Sequence, residues 1–364
     1  MTNNTSARKQ SMLPNPPQAP YEPVSKWTEW GISVLNGIFG DYLRERQNGL
    51  AIPMAFYHQN RPLPLTTAGL QQAHVTLSNK LCVLLHGLGC HEGVWTFRDP
   101  EQRTQGLSYG TLLQQELGYT PFYLRYNTGL PVADNGKDVA ALLDELLTGY
   151  PADVTEIVLI GHSMGGLVLR SACHYGAQHQ YEWVKKVKQV FYLGTPHEGA
   201  DLEKLGHVTT AVLHAVPNPI TRLIGTILNR RSQGIKDLRL GNPLVEEWPE
   251  VFPSASGDNN GQVIPWLASA NHYLIVGTLT ADLRHPVALL FGDALVRLPR
   301  VHHHPVPEGE PRPASNHYVK IFPKLHHMSL ARHPKVYQQI KQWCTNESRG
   351  DNPCHGYRYS NSEG

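Results

Sequence analysis

The chain is poor in the features that commit a protein to a membrane, a nucleic acid or an oxidising compartment. Nowhere in its 364 residues do 18 apolar residues follow one another, which argues against a transmembrane helix. Cysteine is scarce, with Cys82, Cys90, Cys173, Cys344 and Cys354 making an odd count and no C-x-x-C pair. That excludes a disulfide-dense scaffold and points to reduced, mostly buried thiols; a Cys344 to Cys354 link across a tail loop is the pairing left open. The 32 basic and 30 acidic residues leave a net charge of +2 without a long basic block, so nothing calls for nucleic acid or an anionic membrane. A small-molecule or lipid partner of neutral or apolar character is the simpler expectation, with peripheral membrane contact and oligomeric state left open. The first twenty-five residues lack the apolar core of a secretory leader, so the expected location is cytoplasmic, where the sequons at Asn4 and Asn346 would carry no glycan.

What is present is a long alternation of apolar patterns. The length admits one large α/β domain with insertions or two modest ones. Residues 1–26, rich in Asn, Ser, Gln and Pro, read as a disordered lead-in, and residues 345–364 as a flexible tail. Between them, residues 27–344 form the expected domain. Trp27, Trp30, Val34, Ile38 and Tyr42 recur at helical spacing and predict a docked helix over 27–46, whose apolar face packs on the core or meets acyl chains. Residues 51–57 and 74–77 read as strands on either side of a Pro-rich turn at Arg61-Pro62-Leu63-Pro64. From residue 81 onward strands at 81–85, 121–126, 157–160, 187–193, 272–279 and 318–322 alternate with helices at 109–117, 132–147, 167–177 and 334–344. This rhythm predicts an α/β fold with a mostly parallel, doubly wound sheet and helices on both faces. About residues 200–265 the rhythm breaks into a Pro- and Gly-interrupted insertion, a candidate cap.

The chemistry concentrates at Gly161-His162-Ser163-Met164-Gly165-Gly166, placed between an apolar strand and a helical pattern. A G-x-S-x-G in that setting is a nucleophile elbow, the glycines clearing space for a strained serine; the bland alternative is a tight βα turn packed on glycine. A serine hydroxyl needs an imidazole base, and the base needs a carboxylate to orient it. His327, between the last strand and the last helix, is the candidate base, with His326 beside it as the rival. Asp293 is the candidate acid and Asp282 the alternative; Asp258 sits among Gly and Asn and reads as loop chemistry. The oxyanion formed on attack needs backbone N–H donors. Met164, just after the serine, and Leu88, in His86-Gly87-Leu88-Gly89 after a strand, are placed to supply them.

Other features weigh less. His197, in Gly194-Thr195-Pro196-His197-Glu198-Gly199, is a candidate substrate contact or a hydrogen-bonded structural residue. Leu223 and Ile227, among the insertion's apolar residues, line an acyl-binding lid or form the insertion's own core. His302-His303-His304 lies in a Pro-rich loop without zinc-ligand spacing, so no metal is expected.

Taken in order, the His-Gly-Leu-Gly loop, the elbow, the Gly-Thr-Pro-His-x-Gly run and the His327-Met328-Ser329-Leu330 ending resemble the α/β-hydrolase superfamily. The similarity is to its lipase and esterase branch related to GPI inositol deacylases, and it runs over nearly the whole ordered chain. The resemblance implies hydrolysis of acyl esters without a cofactor, with Ser163, Asp293 and His327 at the triad positions and Leu88 and Met164 at the oxyanion positions. One departure falls at the acid loop, where relatives often carry Gly-Asp-Gly-Leu-Val and this chain has Ala294 after Asp293. A serine carboxylesterase or lipase is the expectation; acyl transfer, thioester cleavage and a non-catalytic binding protein on the same fold are the alternatives.

Overall fold

Strict alternation along the central strands divides the molecule into layers. In the computed structural model, which describes residues 26–74, 76–97, 106–197, 266–278 and 317–347, β3 (Lys80–Leu85) sends Leu81, Val83 and Leu85 into one core and Cys82 and Leu84 into the other. β5 (Glu156–His162) does the same with Ile157 and Leu159 against Val158 and Ile160, and β6 (Val187–Leu193) with Val190 and Tyr192 against Phe191 and Leu193. A strand apolar on both faces must be covered on both, and two sets of helices do so. The first core takes in α4 (Val132–Gly149), α5 (Met164–Gln178), Leu70 of α2 (Thr67–Ala73) and Trp183 of α6 (Glu182–Lys186). The second takes in α3 (Tyr109–Leu117) and α7 (Pro334–Glu347).

With β1 (Ala55–His58), β2 (Arg61–Pro62), β4 (Thr120–Arg125), β7 (Asn271–Thr278) and β8 (His317–Pro323), the eight described strands form one mixed sheet in the order β2-β1-β4-β3-β5-β6-β7-β8. Pairing from β4 through β8 is parallel; β1 runs antiparallel to both its neighbours. The chain leaves β3 for β4 on one side and returns to β5 on the other. The carboxyl ends of β3 and β5 therefore flank a topological switch point, where an open α/β sheet leaves a crevice.

Three expectations near the amino-terminal end are corrected. Residues 74, 76 and 77 carry no strand: the segment before them is α2, capped by the Thr66 hydroxyl accepting from Gly69 N–H at 3.2 Å and closed by His74 N–H on Leu70 O at 3.0 Å. The turn lies earlier than expected, at Gln59 and Asn60, which both adopt positive φ (49° and 63°), and Arg61 and Pro62 pair back on β1 as an edge. The stripe on α1 (Lys26–Glu45) also differs. Val34 and Ile38 are buried as expected, but burial passes to Phe39 and Leu43 while Tyr42 is 45% exposed. A non-helical backbone at Phe39 (φ −130°, ψ 15°) rotates the last turns, so the simple i, i+4 stripe fails beyond it.

Cys82 and Cys173 are buried thiols whose pKa burial raises, Cys173 to about 12. Among the described residues no helix is long and apolar enough to cross a membrane. The lead-in and most of the tail with Cys354, the insertion with Leu223 and Ile227, and the segment holding Asp258, Asp282, Asp293 and His302 to His304 lie outside the described residues.

Candidate active site

β5 delivers Ser163 to the carboxyl edge of the sheet in a conformation few serines adopt, φ 55° and ψ −124°. Such backbone costs roughly 1–3 kcal/mol. The surroundings outweigh it: Ile157, Val158, Leu159 and Ile160 just before it are each 0% exposed, and burying one such side chain contributes roughly 1.5–3 kcal/mol. Ser163 N–H also extends the ladder to Leu193 O at 2.8 Å, and Gly166 N–H returns to Ser163 O at 3.0 Å as α5 begins. The elbow glycines are packing requirements, since a Cβ on Gly165 would lie 2.5 Å from Leu85 O and one on Gly161 would lie 2.6 Å from Gly166 Cα.

The loop at residues 86–89 leaves β3 beside the serine. A side chain at Gly87 would come within 2.9 Å of Ser163 Cβ and 3.2 Å of His162 Nδ1, so only glycine admits this approach. His86 fixes the loop from beneath. Its ring is stacked on Tyr126 (centroids 4.6 Å apart), and its Nδ1 donates to Gly87 O at 3.0 Å. Tyr126 O–H in turn donates to His86 O at 2.8 Å. Complete burial drives the pKa of His86 down to about 4, so the ring is neutral. Gly89 N–H is held by the buried Thr128 hydroxyl at 3.1 Å. Among the described residues, neither Leu88 N–H nor Met164 N–H has an acceptor; Met164 is at the amino-terminal start of α5, where free N–H groups and the helix dipole favour negative charge.

His327 opens a short 3₁₀ turn, His327–Ser329, after β8. Of the two neighbouring histidines it is the buried one, 5% exposed, and His326 faces solvent. The turn is tied down on several sides: Leu325 N–H to Thr278 O at 3.0 Å, Tyr109 O–H to Leu330 O at 2.8 Å, and His162 Nε2 to His327 O at 3.1 Å. Its ring lies over Gly194, the residue that follows β6 with φ +60°, where a Cβ would sit 2.8 Å from His327 Nδ1. His162 and Leu193 are register partners at the ends of β5 and β6, so Ser163 and Gly194 leave the sheet side by side, with His327 over the latter. Among the described residues no hydrogen bond joins Ser163 Oγ to the His327 ring.

His197 sits in a different cluster. Arg170 of α5 donates to its Nδ1 at 3.1 Å, its ring meets those of Tyr192 and Trp266 at 4.9 and 5.0 Å, and the Arg170 guanidinium lies 4.1 Å from the Trp266 ring centre. Burial first, then the Arg170 charge, hold His197 well below the ordinary histidine pKa. Among the described residues no group of three or more His, Cys, Asp or Glu could hold a metal ion.

Sequence reasoning named Ser163, His327, Leu88 and Met164, which the structure gathers at the carboxyl ends of β3, β5 and β6. It missed Tyr126 and Thr128, whose signal is only their position just after the strand that pairs with β3.

Residues 132–224, about a quarter of the chain, match the PGAP1-like alpha/beta domain; among the described elements the match spans α4, the elbow, α5 and β6. That match coincides with the switch point and a strained serine directly after the central strand. The chain has the α/β-hydrolase fold. Solved structures similar to this α/β-hydrolase-fold chain include a lipase-esterase related protein from Clostridium acetobutylicum (16% identity, covering 73% of this chain and 94% of that one, TM-score 0.36). The Pyrococcus furiosus esterase Pf2001 (14%, 74% and 81%, TM-score 0.40) and MenH from S. aureus (14%, 81% and 98%, TM-score 0.38) are others. No curated protein matches significantly. The hydrolase fold therefore rests on the chain's own topology and the domain match.

Proposed function

We propose that this chain is a serine hydrolase of carboxylic esters, acting through an acyl-enzyme on Ser163. The observation that carries the reading is the meeting of a strained serine, a buried histidine and two N–H groups without acceptors at the switch point. In this reading Ser163 Oγ attacks the ester carbonyl while the His327 imidazole takes its proton and returns it to the leaving alcohol. Leu88 N–H and Met164 N–H hold the oxyanion, positions in favour of which their empty valences speak. Asp293, with Asp282 as the alternative, orients the imidazole. Water then releases the acid, without a cofactor. An apolar or lipid-like ester suits a near-neutral chain whose insertion carries apolar residues, and Leu223, Ile227 and His197 are the proposed substrate contacts.

Turnover of p-nitrophenyl esters by the full chain and by Ser163→Ala tests this. The substitution should lower kcat by on the order of 10⁴ or more. Retention of most activity would contradict it. Added alcohols that divert the acyl group into new esters would mark acyl transfer instead of hydrolysis.

A further inference from the structure

His162, the residue before the serine in the elbow, is 1% exposed and makes a contact outside the strand ladder. Its Nε2 lies 3.1 Å from the backbone oxygen of His327, and the two rings are 4.9 Å apart. A carbonyl only accepts, so Nε2 of His162 carries the proton and donates. The His327 oxygen receives a second donor, Leu330 N–H at 3.2 Å, which closes the 3₁₀ turn. Both lone pairs are thereby used, one by the turn itself and one by the residue immediately before Ser163.

We infer that His162 is a positioning residue for the base: by donating to the His327 carbonyl it fixes the turn that carries the imidazole relative to the serine one residue away. This rests on the reading of Ser163 and His327 above. The covalent chain between the two sides of the site, from 162 to 327, is long and, among the described residues, passes through β6, β7 and β8. The hydrogen bond is a direct link, and it sets the position of the His327 main chain from the nucleophile's own strand. Misplacing a catalytic group by about 1 Å costs on the order of 100-fold in rate. A residue acting this way should influence kcat and leave substrate affinity nearly untouched.

The test compares the full chain with His162→Phe, which fills the ring space without a donor, His162→Gln, which offers an N–H near the Nε2 position, and Ser163→Ala. His162→Phe should lower kcat for a p-nitrophenyl ester by on the order of 10-fold to 100-fold at nearly unchanged KM, and slow fluorophosphonate labelling in parallel; His162→Gln should restore most of both. Wild-type kcat in His162→Phe beside an inactive Ser163→Ala overturns the inference and leaves the nucleophile standing. Equal loss in Phe and Gln variants, with a lowered melting temperature, also overturns it by reducing His162 to a packing role. Activity in Ser163→Ala removes the underlying reading itself. Should His162→Phe fail to fold, long-range proton–nitrogen spectra of wild-type protein decide: a proton on His162 Nε2 supports the inference, and one on Nδ1 overturns it.

Discussion

Buried imidazoles do much of the local construction here, and each is usable only while neutral. Burial lowers the pKa of His86, His272 and His74 to about 4 from 6.5. Between those values the unfolded chain binds more protons than the folded one, so stability falls as pH drops from about 6.5 to about 4 and changes little more from these groups below that. Urea midpoints measured across that range should decline steadily, and a flat midpoint down to about pH 4.5 would count against neutral burial of these rings. The same scale shows what a sequence can and cannot disclose. Ser163 was legible because its conformation demands glycines at fixed offsets, and the buried place of His327 because it falls in the loop between the last strand and the last helix. His162 and Thr128 act on backbone atoms of distant loops, through His327 O and Gly89 N–H, and no spacing in the sequence marks such a contact.

Among the elements, α1 depends on charge as well as on its apolar face. Arg125 at the end of β4 lies 3.5 Å from Glu29 of α1, and it donates through Nε at 2.7 Å and through its second nitrogen to Glu92, all three being buried or nearly so. Burial alone would raise the Glu92 carboxyl, but the Arg125 hydrogen bonds and charge prevail and hold it below the ordinary value. Removing the Arg125 cation leaves Glu29 and Glu92 without its charge, so Arg125→Met should destabilise the fold by roughly 3–5 kcal/mol in chemical denaturation. Adding Glu92→Gln to that variant should recover part of the loss, because less uncompensated charge then remains; additive losses from the pair would contradict the coupling. Most element boundaries were legible from apolar period, since helices and buried strands carry strong repeats. The segment expected as a strand at 74–77 instead falls just past α2, a helix set by a threonine cap and preceded by a turn at two positive-φ residues, and local alternation cannot report either.

At the scale of the molecule, the sheet places Leu88, Ser163 and Met164 at the carboxyl ends of β3 and β5, with the His327 ring over Gly194 at the end of β6. The ends of the insertion lie together on the fold: His197 and Trp266 are in ring contact at 5.0 Å, both against Arg170. A short Gly-Ser linker can therefore replace residues 200–265 without stretching the sheet. Such a chain should still fold and still react at Ser163, but with an altered profile across short and long acyl esters. An unchanged profile would mean that the insertion forms a core of its own and takes no part in selection. The overall architecture was legible in the order of strands and helices; the acid, read from sequence as Asp293 with Asp282 as the alternative, lies outside the described residues.

Whether Ser163 is a reactive nucleophile is tested most directly by treating the folded chain with a fluorophosphonate and mapping the adduct by mass spectrometry. One covalent adduct per chain, on Ser163, is expected, lost in Ser163→Ala and on prior unfolding. Folded protein that remains unmodified at Ser163 would contradict the assignment.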